Sequence, residues 1–242
     1  MPTFQLGAYY PHNYVKKLDS VLRFLPRPAD YLFLYFIGFY ILLLCLKLDF
    51  RLAFLGALAF GFSTYLIIIL GVGHNAKAHA IAYMPMVLGG IILTFRQKYL
   101  WGFLLLSLAM ALQIGANHFQ MTYYLLLLVI VLGISYLVDA YRKNILPKFF
   151  KALGVMVVAV ILAIGANATN LLATQEYTAH STRGDTGLTI SPDGSDKPAA
   201  GLTFDYITEY SYGIMESLNL FIPRFMGGSN AEDIGKDAEI YD

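Results

Sequence analysis

Six long apolar stretches, broken by short polar connections, divide the chain between residues 31 and 172. Each approaches the roughly 20 residues that an α-helix needs to cross a bilayer. They predict spans over Tyr31–Leu46, Leu52–Leu70, His79–Phe95, Tyr99–Gly115, Gln120–Val138 and Phe149–Leu172. The first, third and fourth lie near the lower length limit, so one of them is open to a partly re-entrant reading. Pro85 and the pair Gly89-Gly90 predict a kink in the third.

The stretch ahead of the first span has a different rhythm. In NYVKKLDSVLRFLPRP, Val15, Leu18, Leu22 and Leu25 recur at helical spacing, with Lys16, Lys17, Asp19 and Arg23 elsewhere around the barrel. That pattern predicts an amphipathic helix over Asn13–Leu25 lying in the membrane interface. A solvated linker is the alternative. After Leu172 the pattern dissolves into polar residues and turn signals such as Pro192-Asp193-Gly194. The predicted organisation is therefore a juxtamembrane segment over 1–29, a helix bundle over 30–172 and an extramembrane loop or domain start over 173–242.

Composition strengthens the membrane reading. The 242 residues are 57% hydrophobic and 14% charged, with mean hydropathy +0.58. A soluble domain carries roughly 25% charged residues. A net charge of +1 leaves no basic face for nucleic acid. The lone Cys45 rules out a disulfide within the chain. MPTFQLGAYYPHN has neither the basic nor the apolar part of a cleavable signal. The polar ending GKDAEIYD, with no closing element, leads us to expect a piece of a longer polytopic protein.

Lys and Arg in the short loops predict orientation. The connections after the first, third and fifth spans hold Lys47, Arg51, Arg96, Lys98, Arg142, Lys143, Lys148 and Lys151, whereas the other two hold only Lys77. The first set is expected to be cytoplasmic and both ends of the chain extracytoplasmic. The cluster Lys16, Lys17, Arg23 and Arg27 conflicts with that assignment unless an upstream helix sets the topology.

With that topology all five histidines gather at the outer face. The densest stretch is GVGHNAKAHAIAYMP, with His74, Asn75, Lys77 and His79; Asn117, His118 and Gln120 join it at the start of the fifth span. Ionisable groups at membrane depth are costly and mark function by default. Helix N-termini with bare N–H groups favour anions, so a phosphate or diphosphate near the outer leaflet suits this set. The plainer readings are interfacial hydrogen bonding for each histidine and headgroup snorkelling for Lys77. Asn167 and Asn170 fit interhelical hydrogen bonds. The histidine spacing matches no metal-ligand motif, and no cofactor motif is present.

Three stretches, GVGHNAKAHAIAYMP, GANHFQMTYYLL and LLATQEYTAHSTRG, together with MPTFQLG and LPRPADYLFLYF, resemble the YfhO family of bacterial membrane proteins, in particular its Bacteroidetes-type members. The resemblance covers essentially the whole chain. It implies a fold similar to the C-type glycosyltransferases (GT-C), which are all-α polytopic enzymes of the inner membrane. It implies transfer of a sugar from a polyprenyl-phosphate donor to a cell-envelope glycan or lipid acceptor. Family members are longer, and their essential acid lies in the first outer loop, of which residues 1–29 would be the tail. Asp19 and Asp30 match no motif there. Under this reading His74, Lys77 and His79, helped by His118, hold the donor phosphate. Asn75, Asn117 and Gln120 add polar contacts, Glu176 is the candidate base, and Arg183 lines the sugar or acceptor side. A transporter or flippase for an anionic lipid or sugar phosphate, and a non-catalytic membrane protein, are the rival readings.

Overall fold

The computed structural model describes residues 13–179, 208, 213–222 and 225. Among these the chain is all-helical, with α1 (Tyr14–Leu22), α2 (Ala29–Cys45), α3 (Phe50–Gly61), α4 (Thr64–Gly71), α5 (Asn75–Phe95), α6 (Tyr99–Gly115), α7 (Phe119–Arg142), α8 (Leu146–Ala166) and α9 (Ala168–Ala179). It is a helical membrane bundle. α5, α7 and α8 are each long and apolar enough to cross a bilayer, and α3 with α4 form a fourth, bent span. α2 and α6 are apolar but only 17 residues each, at the lower limit for spanning.

Five of the connections stay short because the turn passes through one left-handed residue. Lys47, Gly73, Gln97, Asn117 and Asn144 all have φ between 55° and 78°. At four of them the next N–H reaches back to a carbonyl five residues earlier: Leu48 to Leu43, His74 to Ile69, Lys98 to Leu93 and Ile145 to Ala140. These are helix-ending motifs that satisfy the last free carbonyls internally. Inside the hydrocarbon, where there is no water, backbone groups must be satisfied within the protein in this way.

Three differences from the sequence reading have local causes. The second span is not one helix. It breaks after Gly61, and α3 and α4 meet at 46°. Ser63 takes the extended conformation of a helix N-cap (φ −61°, ψ 143°), and the Phe62 ring packs edge-on against Phe36, 5.0 Å away. The sixth span also breaks, at Asn167, whose Nδ2 donates to the carbonyls of Ala111 and Ala163. The boundary expected at residue 173 consequently falls inside α9. The third span begins four residues earlier than read, so Asn75 and Lys77 lie on helix and not in a loop.

α5 continues through Pro85 as a single helix, and its glycines serve packing. A Cβ on Gly90 would lie 2.7 Å from the Leu106 backbone nitrogen, so α5 and α6 touch backbone to backbone there. This is the close approach small residues permit in membrane bundles. The core lies among α2, α5 and α6, around the fully buried Leu34, Tyr35, Tyr83, Val87 and Leu106.

Two chemically distinct ends result. At one, Arg96 beyond α5 donates to the Cys45 and Leu46 carbonyls that close α2, and Lys151 of α8 lies over the Tyr99 ring of α6. This is the Lys/Arg-rich end. At the other, the starts of α2, α5 and α9 and the end of α6 meet α1.

Candidate functional site

α1 builds the site. Asn13 caps it by accepting from the Lys16 N–H, and Val15 and Leu22 pack on the apolar core. Its outer surface keeps Leu18, Val21 and the following Phe24 exposed. The surprise is Asp19, which shares the inward face with Val15 and Leu22 and is only 6% exposed, while Lys16, Lys17 and Ser20 stay at the surface. A carboxylate buried that deeply needs partners, and three elements supply them. His79 Nε2 lies 2.5 Å from Asp19 Oδ1, and the Tyr83 hydroxyl donates to the same oxygen at 2.6 Å. Arg23, one turn along α1, donates from Nε to Asp19 Oδ2 at 2.9 Å.

The network continues into α2. Arg23 Nη1 donates to Asp30 Oδ2 at 3.1 Å, and Asp30 Oδ1 accepts from the Tyr31 N–H. Arg23 and Arg27 both lie over the Tyr31 ring. An Asp in the first turn of α2 also complements the positive end of that helix.

Burial pushes the Asp19 carboxyl up, but the hydrogen bonds from His79, Tyr83 and Arg23 outweigh it and hold the group at about 2. Arg23 is raised: burial works against its charge, and Asp19 and Asp30 more than restore it. Since Asp19 is lower in the folded protein than its ordinary 3.8, the ionised network stabilises the fold above about pH 4. That contribution is lost as pH falls towards 2 and amounts to about 2 kcal/mol. Thermal unfolding in detergent should show it as a difference between wild type and Asp19→Asn that is constant above pH 4 and shrinks below it. A difference independent of pH from 6 to 2 contradicts the assignment.

Beside the network lies a pocket of about 280 Å³. Lys16, Asp19, Arg23 and Arg27 line it from α1 and the turn after it. Asn75 and His79 close it from α5, and Asn170 from α9. Lys16, Arg23 and Arg27 bring three cations to the lining, with Asp19 as the one lining carboxylate and Asp30 bonded to Arg23 behind the wall.

Of the residues singled out in the sequence, Asn75 and His79 thus belong to this pocket. Others form a neighbouring group. His74 is exposed at the N-cap of α5, Lys77 is half-buried in its first turn, and His118 caps α7. Burial lowers the His118 imidazole, and the nearby Lys77 and His74 push it the same way. Asn117 Oδ1 and His118 Nδ1 are buried without a hydrogen-bond partner among the described residues. Gln120 is exposed and donates to the Tyr124 hydroxyl. Glu176 is exposed on α9 and does not line the pocket. Arg183, like His12 and His180, lies outside the described residues. Among the described residues no group of three or more His, Cys, Asp or Glu is placed to hold a metal.

Asp19, Arg23, Asp30 and Tyr83 were not among the candidates read from sequence. The signal was present as two pairs spaced i, i+4: Asp19 with Arg23, and His79 with Tyr83. Each pair marks one helix face, but nothing local says that the two faces meet.

No family model matches the chain, and no curated protein and no solved structure matches it. Fold and site together define a class: a polytopic helical membrane protein with a buried ionic network and a cation-lined pocket at one end of the bundle.

Proposed function

We propose that this chain is the membrane-embedded part of a glycosyl-transfer enzyme that takes a sugar from a polyprenyl-phosphate donor at the pocket end of the bundle. That end would face the extracytoplasmic side of the bacterial inner membrane, where the acceptor is a cell-envelope glycan or lipid. The observation that carries this reading is the gathering of Lys16, Arg23 and Arg27 around one pocket at an end of the membrane bundle, where the phosphate of a lipid-linked donor would meet them.

In the transfer, the acceptor hydroxyl oxygen bonds to the anomeric carbon as the bond from that carbon to the phosphate oxygen breaks. The lipid phosphate leaves with the bonding electrons. Its charge is met by Arg27, which is 59% exposed and comes no nearer than 4.0 Å to Asp30, with Lys16 beside it. His74, Lys77 and His118 offer a second anion-favouring patch next to the pocket.

The hydroxyl proton needs a base. Asp19 at about 2 is too weak and is fully occupied by its partners, so its role is to hold α1 as the pocket wall. Glu176 keeps the base role in this reading. It stands six residues beyond Asn170, about 9 Å along α9 from the pocket wall.

Labelled polyprenyl-phosphate sugars, incubated with the full-length protein in liposomes, test the proposal through product analysis. Wild type should release sugar to an acceptor, and Arg27→Gln should lower the rate at least ten-fold with membrane insertion unchanged. Sugar transfer unaffected by Arg27→Gln, or no transfer by wild type from any carrier offered, overturns it.

A further inference from the structure

α6 and α8 both start at the Lys/Arg-rich end, far from the pocket. They run in parallel: Lys151 meets Tyr99 near their starts, and Asn167 meets Ala111 near their ends. Between them lies an open groove of about 510 Å³. Leu100 and Phe103 line one side, and Gly154, Val155 and Val158 the other. Lys151, Gly154, Val155 and Val158 are spaced i, i+3, i+4 and i+7, which is one face of α8. Gly154 is there for width and not for close packing, because a Cβ on it would meet nothing within 4 Å.

The one charge on this apolar lining is Lys151, held at the mouth with its Nζ 4.9 Å from the Tyr99 ring centroid. We propose that the groove holds an acyl chain of an anionic bilayer phospholipid whose phosphate sits on Lys151. Charge complementarity chooses this occupant. Lys98 precedes α6 and Lys148 lies in the first turn of α8, whose N-terminus reaches about 7 Å further out than that of α6 on the same side of the bundle. Two carboxylates near that end are engaged: Asp139 pairs with Lys143 and Asp49 caps α3. From Lys151 to Val158 the face extends about 10 Å, enough for the upper part of one chain.

Trp101, the sole tryptophan, is 67% exposed and adjoins Leu100 of the groove. Its fluorescence therefore reports lipids bound there. The protein is reconstituted in vesicles of dibrominated phosphatidylglycerol with unbrominated phosphatidylcholine, and in the reverse labelling. The expected result is an affinity for the anionic lipid about five-fold above that for the zwitterionic one, the size of one surface lysine's effect. Lys151→Ala should bring the ratio near one. Gly154→Leu, which fills the groove and keeps the charge, should also abolish the preference, whereas Lys47→Ala at the same end should leave it intact. Equal quenching by both lipids, or a preference that survives Lys151→Ala or Gly154→Leu, overturns the proposal. So does a preference lost equally in Lys47→Ala, which would make it a property of the charged surface as a whole.

Discussion

Asp19→Ala should destabilise the bundle by about 3 kcal/mol and release α1 from its end. The size follows from what the substitution strands. His79 and Tyr83 lose the oxygen they share, 2.5 and 2.6 Å away, and both sit within the core-facing surface of α5. Arg23 loses one of two carboxylates but keeps Asp30 at 3.1 Å. Removing one partner of a buried ion pair costs about 3–5 kcal/mol, most of it the penalty for the charge left behind. The surviving Asp30 contact places this case at the lower edge. Because the apolar contribution of α1 comes mainly from Val15 and Leu22, little else holds it. Amide exchange across residues 14–22 should rise to solvent-exposed rates while α2, α5 and α6 stay protected. Protection of α1 unchanged in the variant would mean that its apolar face alone docks it.

The second large effect is expected at Gly90. A side chain there meets backbone and not a flexible tip: its Cβ would fall 2.7 Å from Leu106 N and 2.8 Å from Leu106 Cα. On the facing helix, a Cβ on Gly102 would fall 2.7 Å from Thr94 N and 3.0 Å from the Gly90 carbonyl oxygen. The two glycines thus lie at one seam, and neither helix can shift without parting from the other. Gly90→Val should cost about 3 kcal/mol, at the top of the usual overpacking range. Gly90→Ala gains up to about 1 kcal/mol of helix propensity and should still be destabilised. Gly133→Ala on α7 is the control, since nothing lies within 4 Å of a Cβ there, and it should be neutral or slightly stabilised. Thermal unfolding in one detergent ranks the three. Gly90→Val as stable as wild type would contradict the packing of α5 on α6.

Much of the fold was legible along the chain. Tyr99–Gly115 was read to the residue, and the other spans were placed within a few residues of the helices observed. Apolar runs of this length have few alternatives when the backbone must satisfy itself in lipid. The two breaks escaped notice because Ser63 and Asn167 lie in runs whose hydropathy hardly falls. Hydropathy measures transfer into lipid, whereas a break depends on where a side chain finds a hydrogen bond, as Asn167 does with Ala111, 56 residues away. The candidate site divided in the same manner. The gathering of polar residues at one end was visible, because helix order alone sends alternate loops to the same side. The pairing within it was not.

By itself, the sequence determined that this is an all-helical membrane bundle with one Lys/Arg-rich end and one rich in histidine and amide groups, because these are properties of windows of about 20 residues. The tertiary structure decided that Asp19, read as an unremarkable residue on a surface helix, sits buried against His79 and Tyr83, 60 and 64 residues further on. The physical reason is that a carboxylate is stable inside only where donors from other elements converge on it, and that convergence is fixed by how α1 packs across the ends of α5 and α6.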